Sequence, residues 1–182
     1  MEKEKVFKRH DNRKDLAGEH VLGDLGQIIF LVMFFSVWIT DSFFVNYSTQ
    51  FSEYASLYIR IPLAVIIFVI AGFLAKQGLT IVFADVRKEP IVIRKGVFSV
   101  VRHPIYLGAI LFYLSLLAVS FSLVATLVWV VILLFYIFLC KHEEKLLIEK
   151  FGSDYEQYKL ETPMLLPRLK KGKKQSLTNV SR

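Results

Sequence analysis

Apolar residues in this chain gather in long runs instead of recurring at the spacing of a strand or a surface helix, and that is the pattern of membrane-spanning segments. The first run is Leu25 to Thr40. As a helix it covers roughly 24 Å, a little short of the ~30 Å hydrocarbon core, and its flanks from Val21 and through Phe44 can extend it. The second is Leu57 to Ala75, broken only by Arg60 and Pro62. Arg60 can snorkel to the interface, and Pro62 falls in the first turns, where its missing N–H costs least. A polar stretch follows, Lys76 to His103, with a short β-like piece at Ile91-Val92-Ile93, and it is too polar to span. Ile105 to Cys140 then holds no charged residue. One helix of that length would be roughly 54 Å long, so two spans are expected, with the break near Ser120-Phe121-Ser122.

The charge pattern orders these spans. Lys and Arg concentrate on the cytoplasmic side of a membrane protein. The N-terminal segment, the 76–102 loop and the C-terminal region are rich in both, whereas the 41–59 loop has Asp41 and Glu53 but no Lys or Arg. Four spans put every basic segment on one side. The expectation is therefore an all-α polytopic membrane protein with four transmembrane helices, the last two forming a tight hairpin, and both termini in the cytoplasm. A cytoplasmic segment 1–24 would precede a membrane domain 25–167. The tail 168–182 carries Arg168, Lys170, Lys171, Lys173, Lys174 and Arg182 without an acid and supplies most of the net charge of +7. It is expected to be disordered and drawn to the anionic leaflet rather than to nucleic acid.

Cys140 is the only cysteine, and His10, His20, His103 and His142 show no zinc-ligand spacing, so no metal is expected. The Phe-rich stripe of the first two helices is expected to face lipid.

Two clusters are candidates for chemistry, both at the cytoplasmic ends of the last two spans. One is Gly96-Val97-Phe98-Ser99-Val100-Val101-Arg102-His103-Pro104-Ile105-Tyr106-Leu107-Gly108, with Pro104 suited to the first turn of a helix. The other is His142-Glu143-Glu144-Lys145-Leu146-Leu147, then Phe151-Gly152, Tyr155, Tyr158 and Pro163 to Pro167. The fourth helix should run on to about Lys150, with Gly152 capping it. A hairpin would bring a cation, an imidazole, two carboxylates and several tyrosines together. Such a set suits a sulfonium methyl donor, whose ammonium, carboxylate and adenosine these groups can bind, without forcing that reading. Each residue also has a plainer role: Arg102 as a positive-inside anchor, Glu144 as a surface partner of Lys141, Tyr155 and Tyr158 as interfacial aromatics.

The pattern Gly-Val-Phe-x-x-x-Arg-His-Pro-x-Tyr-x-Gly, followed after a charge-free segment by Glu-Glu-x-x-Leu-x-x-x-Phe-Gly-x-x-Tyr-x-x-Tyr, resembles the isoprenylcysteine carboxyl methyltransferase family over residues 94–167. The related phospholipid N-methyltransferases share much of it. That resemblance implies methyl transfer from S-adenosyl-L-methionine to a lipophilic acceptor reaching the site from the bilayer, a prenylcysteine carboxylate or a phospholipid amine. It implies a donor pocket of His103, Pro104, Tyr106, Glu143, Glu144, Tyr155 and Tyr158, with Arg102 and Glu144 at the reacting centre. Gly108 would leave room for the acceptor chain, or else permit close helix packing. Many relatives have Arg where this chain has Met164, and many have Arg where it has Ser99; if the Arg missing at Met164 helps to bind the acceptor, the acceptor here differs. Two other readings stay open: a non-catalytic lipid-binding or assembly protein that kept the fold, and a membrane reductase, although no glycine-rich dinucleotide fingerprint is present.

Overall fold

The computed structural model describes residues 21–83 and 91–167. The segment 1–20, residues 84–90 of the loop after the second helix and the basic tail 168–182, with the expectations attached to them, lie outside the described residues. Among the described residues are five α-helices: α1 (Val21–Ile39), α2 (Leu57–Phe83), α3 (Pro104–Ser120), α4 (Leu123–Phe151) and α5 (Ser153–Glu161). A wide π-type turn over Thr40–Val45 prolongs α1, and tight turns occupy Gln50–Tyr54 and Gly96–Ser99. Leu25–Val45, Leu57–Phe83 and Leu123–Phe151 are each long and apolar enough to cross a membrane, which makes this an integral membrane protein. The α3 helix is equally apolar but has 17 residues.

Two expectations are corrected. The second helix does not stop at Ala75 but runs to Phe83. After Lys76 and Gln77 the sequence turns apolar again through Leu79, Ile81, Val82 and Phe83, and Gly78 lets this extension meet α3, since a Cβ there would lie 2.6 Å from Cγ1 of Ile105. Ile91–Ile93 forms no strand; among the described residues there is none for it to pair with.

The break after α3 carries no Gly or Pro, and neighbouring elements set it. Phe121 adopts a left-handed conformation (φ 51°), and Ser122 caps α4 by accepting from the Ala125 N–H at 3.0 Å. A non-glycine residue in that conformation is uncommon. Arg60 supports it from α2, donating to the Val119 carbonyl at 2.6 Å with its guanidinium 5.8 Å from the Phe121 ring. The buried Asp41 carboxylate accepts from Ser48 Oγ and Ser122 Oγ, both at 2.5 Å, and Trp38 Nε1 donates to Ser120 Oγ at 3.0 Å. The end of α1 is thereby fastened to the α3–α4 turn.

The core lies between α1, α3 and α4 and contains Phe34, Ile110, Tyr113, Leu117, Ala125, Ile132, Tyr136 and Cys140. Trp129 Nε1 donates to the Ile110 carbonyl at 3.1 Å, and the rings of Phe34 and Tyr113 meet at 4.8 Å. Phe34 is fully buried, so the phenylalanine stripe is not wholly lipid-facing, although Phe43, Phe44, Phe68 and Phe73 do point outward.

Candidate active site

The Arg-His-Pro segment is placed by the turn that precedes it. Gly96 takes a positive φ of 61°, and a Cβ there would meet Cδ1 of Ile81 at 2.6 Å. Val97 and Val101 are buried and fix the turn to the helices. Pro104 opens α3 at its first turn, as its fixed φ favours. The side chain of His103, just before it, makes no cap to the helix backbone and turns toward α4 instead.

On α4, Tyr136, Cys140, Glu143 and Glu144 recur at helical spacing along one face. His103 lies between the two carboxylates, with Nδ1 3.5 Å from Glu143 and Nε2 3.3 Å from Glu144. The Tyr106 hydroxyl donates to Glu143. Its ring stacks on His103, centroids 5.8 Å apart and 6° from parallel, and meets the Tyr136 ring at 5.4 Å. Glu144 is buried with Arg102, whose Nη2 lies 2.6 Å and Nε 2.8 Å from Oε1. Glu144 therefore turns inward, away from the surface role beside Lys141. Both glutamates belong to the cluster.

The short α5 helix closes over this arrangement. Arg102 Nη1 donates to the carbonyls of Lys159, at 3.0 Å, and of Thr162. The backbone N–H groups of Arg102 and His103 donate to the Pro163 and Met164 carbonyls at 2.9 and 3.2 Å. Lys159 Nζ stands 3.3 Å from Oε2 of Glu144. Tyr158 donates to the Phe98 carbonyl at 2.6 Å, and Arg94 pairs with Asp154 while lying over the Tyr158 ring. Tyr155 and Tyr158 are both buried, which rules out exposed interfacial aromatics.

The electrostatics follow from this crowding. Burial opposes a charge on His103, but Cys140, Glu143 and Glu144 outweigh it and hold its pKa well above the usual 6.5. Burial pushes Tyr158 up to about 12, against the pull of Arg102 and Arg94, so its hydroxyl stays a donor. Tyr155 is raised by burial in the same way.

The phospholipid methyltransferase family model matches residues 58–154, more than half of the chain. The chain belongs to the phospholipid methyltransferase family. The match runs from the start of α2 into α5 and takes in the Arg-His-Pro segment and both glutamates. Comparison with curated proteins and with solved structures gave no match.

Of the residues singled out in the sequence, Arg102, His103, Tyr106, Glu143 and Glu144 meet directly, with Pro104 beneath them and Tyr155 and Tyr158 in the covering helix. Gly108 does not join them. It is buried against α2, where a Cβ would lie 2.9 Å from the Ala71 carbonyl oxygen and 3.2 Å from the Ala75 nitrogen, so it allows helix packing and leaves no room for an acceptor chain. Lys159, Tyr136 and Cys140 were not singled out. Tyr136 and Cys140 stand seven and three residues before Glu143, and that helical spacing could have flagged them.

Proposed function

We propose that this phospholipid methyltransferase family member transfers a methyl group from S-adenosyl-L-methionine to a lipophilic acceptor drawn from the bilayer. The observation that carries the reading is the convergence of the two family motifs on one another, His103 touching both Glu143 and Glu144. Four spans, with α3 and α4 as a hairpin and both termini cytoplasmic, complete it.

The residues present suit that donor. Its ammonium calls for a carboxylate, and the cluster offers two, Glu143, which is partly exposed, and Glu144, whose Oε2 is met by Lys159. Its adenosine calls for flat rings, and Tyr106, half-buried beside the carboxylates, is one. S-adenosyl-L-methionine would provide an electrophilic methyl group on a cationic sulfur. The chain's part is then to hold and orient the reactants and to keep water away, since transfer of this kind depends on position more than on acid–base help. His103, pinned by two carboxylates, and Tyr106, held by Glu143 and by contact with two rings, are preorganised for that role. In this arrangement Arg102 has no edge turned outward; it holds Glu144 and the end of α5 in place.

The test is calorimetric titration of the detergent-solubilised protein with S-adenosylhomocysteine and, separately, with a reduced nicotinamide. Micromolar binding of the first and none of the second is expected. Binding of the nicotinamide alone would replace this reading with a reductase, and binding of neither would favour a non-catalytic member.

A further inference from the structure

An amino acid end brings a carboxylate as well as an ammonium, and a buried carboxylate needs a cation. Four described cations, actual or potential, stand near the cluster. Arg102 is spent: Nε and Nη2 hold Glu144, Nη1 holds two carbonyls, and its side chain is 8% exposed. His103 is enclosed between Glu143 and Glu144. Arg94 pairs with Asp154 and reaches Glu161 at 3.7 Å.

Lys159 differs from these. Its backbone carbonyl is fixed by Arg102, but among the described residues its ammonium has one charged contact, with Glu144 Oε2 at 3.3 Å, and its side chain is 36% exposed. An ammonium has three donors, so most of its capacity is open, on a flexible four-carbon stem. The Glu144 Oε2 that it covers is an acceptor on an otherwise buried carboxylate, reachable once the lysine swings aside.

We propose that Lys159 and Glu144 together form the binding site for the zwitterionic amino acid end of the methyl donor. The lysine gives up Glu144 and takes the ligand carboxylate, while Glu144 Oε2 takes the ligand ammonium. One ion pair is exchanged for two, and no charge is left buried alone. The sequence motifs assign Lys159 no role. This inference rests on the methyl-donor reading above and deepens it, because it names the group that recognises one part of the ligand.

The experiment compares two probes by titration calorimetry in detergent: S-adenosylhomocysteine, and methylthioadenosine, which lacks the amino acid end. In the unaltered protein the first should bind more tightly. Lys159→Ala should weaken S-adenosylhomocysteine by about 10- to 100-fold, the range for one charge-assisted hydrogen bond, and leave methylthioadenosine unchanged. Lys159→Arg should recover part of the loss. Equal weakening of both probes would mean that Lys159 only holds α5 in place and would overturn the proposal. So would unchanged binding of both, including the case in which Lys159→Ala raises only the KM of the lipid acceptor, which would assign the lysine to a headgroup phosphate. Failure of the unaltered protein to bind either probe would instead overturn the methyl-donor reading, and this inference with it.

Discussion

His103 is the residue on which both motifs meet, and its charge state is open to measurement. It is almost wholly buried, yet Cys140 and the two glutamates hold its pKa well above 6.5. The folded chain therefore binds this proton more tightly than the unfolded chain does. The stabilisation is complete below about pH 6.5 and is lost as pH climbs through the raised value. Replacing His103 with Gln should then cost most stability near pH 6 and progressively less in alkaline buffer, measured by thermal unfolding in detergent across a pH series. A gap between the two proteins that stays constant or widens with pH would show a neutral imidazole. Arg102 also shows what a motif leaves out. The resemblance implies a cation at the reacting centre, and the folded chain encloses it as the joint between Glu144 and the carbonyl end of α5. Nothing in the Arg-His-Pro pattern reports that α5 returns over it, because those contacts span some sixty residues of chain.

Between elements, contacts rather than propensity decide most of what the sequence left open. The long apolar runs located the helices, since in an apolar solvent only satisfied backbone can be buried. Their ends were less legible. The continuation of α2 past Lys76 depends on Ile105 of another helix, and the break at Phe121 depends on Arg60 of α2. The family pattern identified five of the residues that meet in the site; Lys159 escaped it because its position there follows from the path of α5. Gly108 illustrates the same limit. Its lack of a side chain was legible, but not whether lipid or protein would fill the space. The backbone of α2 fills it, 2.9 Å from where a Cβ would be. Gly108→Leu should therefore lower stability by about 1–3 kcal/mol or more through overpacking, and weaken donor and acceptor binding together. A variant of unchanged melting temperature with only a raised acceptor KM would restore the acceptor channel.

At the scale of the whole molecule, the remaining question is whether α3 crosses the membrane with its longer neighbours. At 17 residues it is the shortest of the four apolar helices, roughly 26 Å at the usual rise, within reach of a ~30 Å core when its polar ends adjust. Its contacts speak for a full crossing. Arg60, at the start of α2, meets Val119 at the end of α3, while Gly78, late in α2, faces Ile105 at the start of α3. Likewise Trp38 of α1 bonds Ser120, and Gly23 of α1 lies beside Leu139 of α4. All four helices therefore run between the same two ends. One end gathers Arg94, Arg102 and Lys159. At the other, the loop between α1 and α2 carries Glu53 without Lys or Arg, and Arg60 is turned inward onto a carbonyl. That asymmetry supports the proposal that the motif-bearing end is cytoplasmic. Tags at residues 1 and 182 should both react with an impermeant reagent only from the cytoplasmic side, and a cysteine introduced at Glu53 only from the opposite one, in a Cys140→Ser background. Termini on opposite sides would mean that α3 is held within the protein without crossing, and the hairpin that delivers the two motifs to one surface would have to be abandoned.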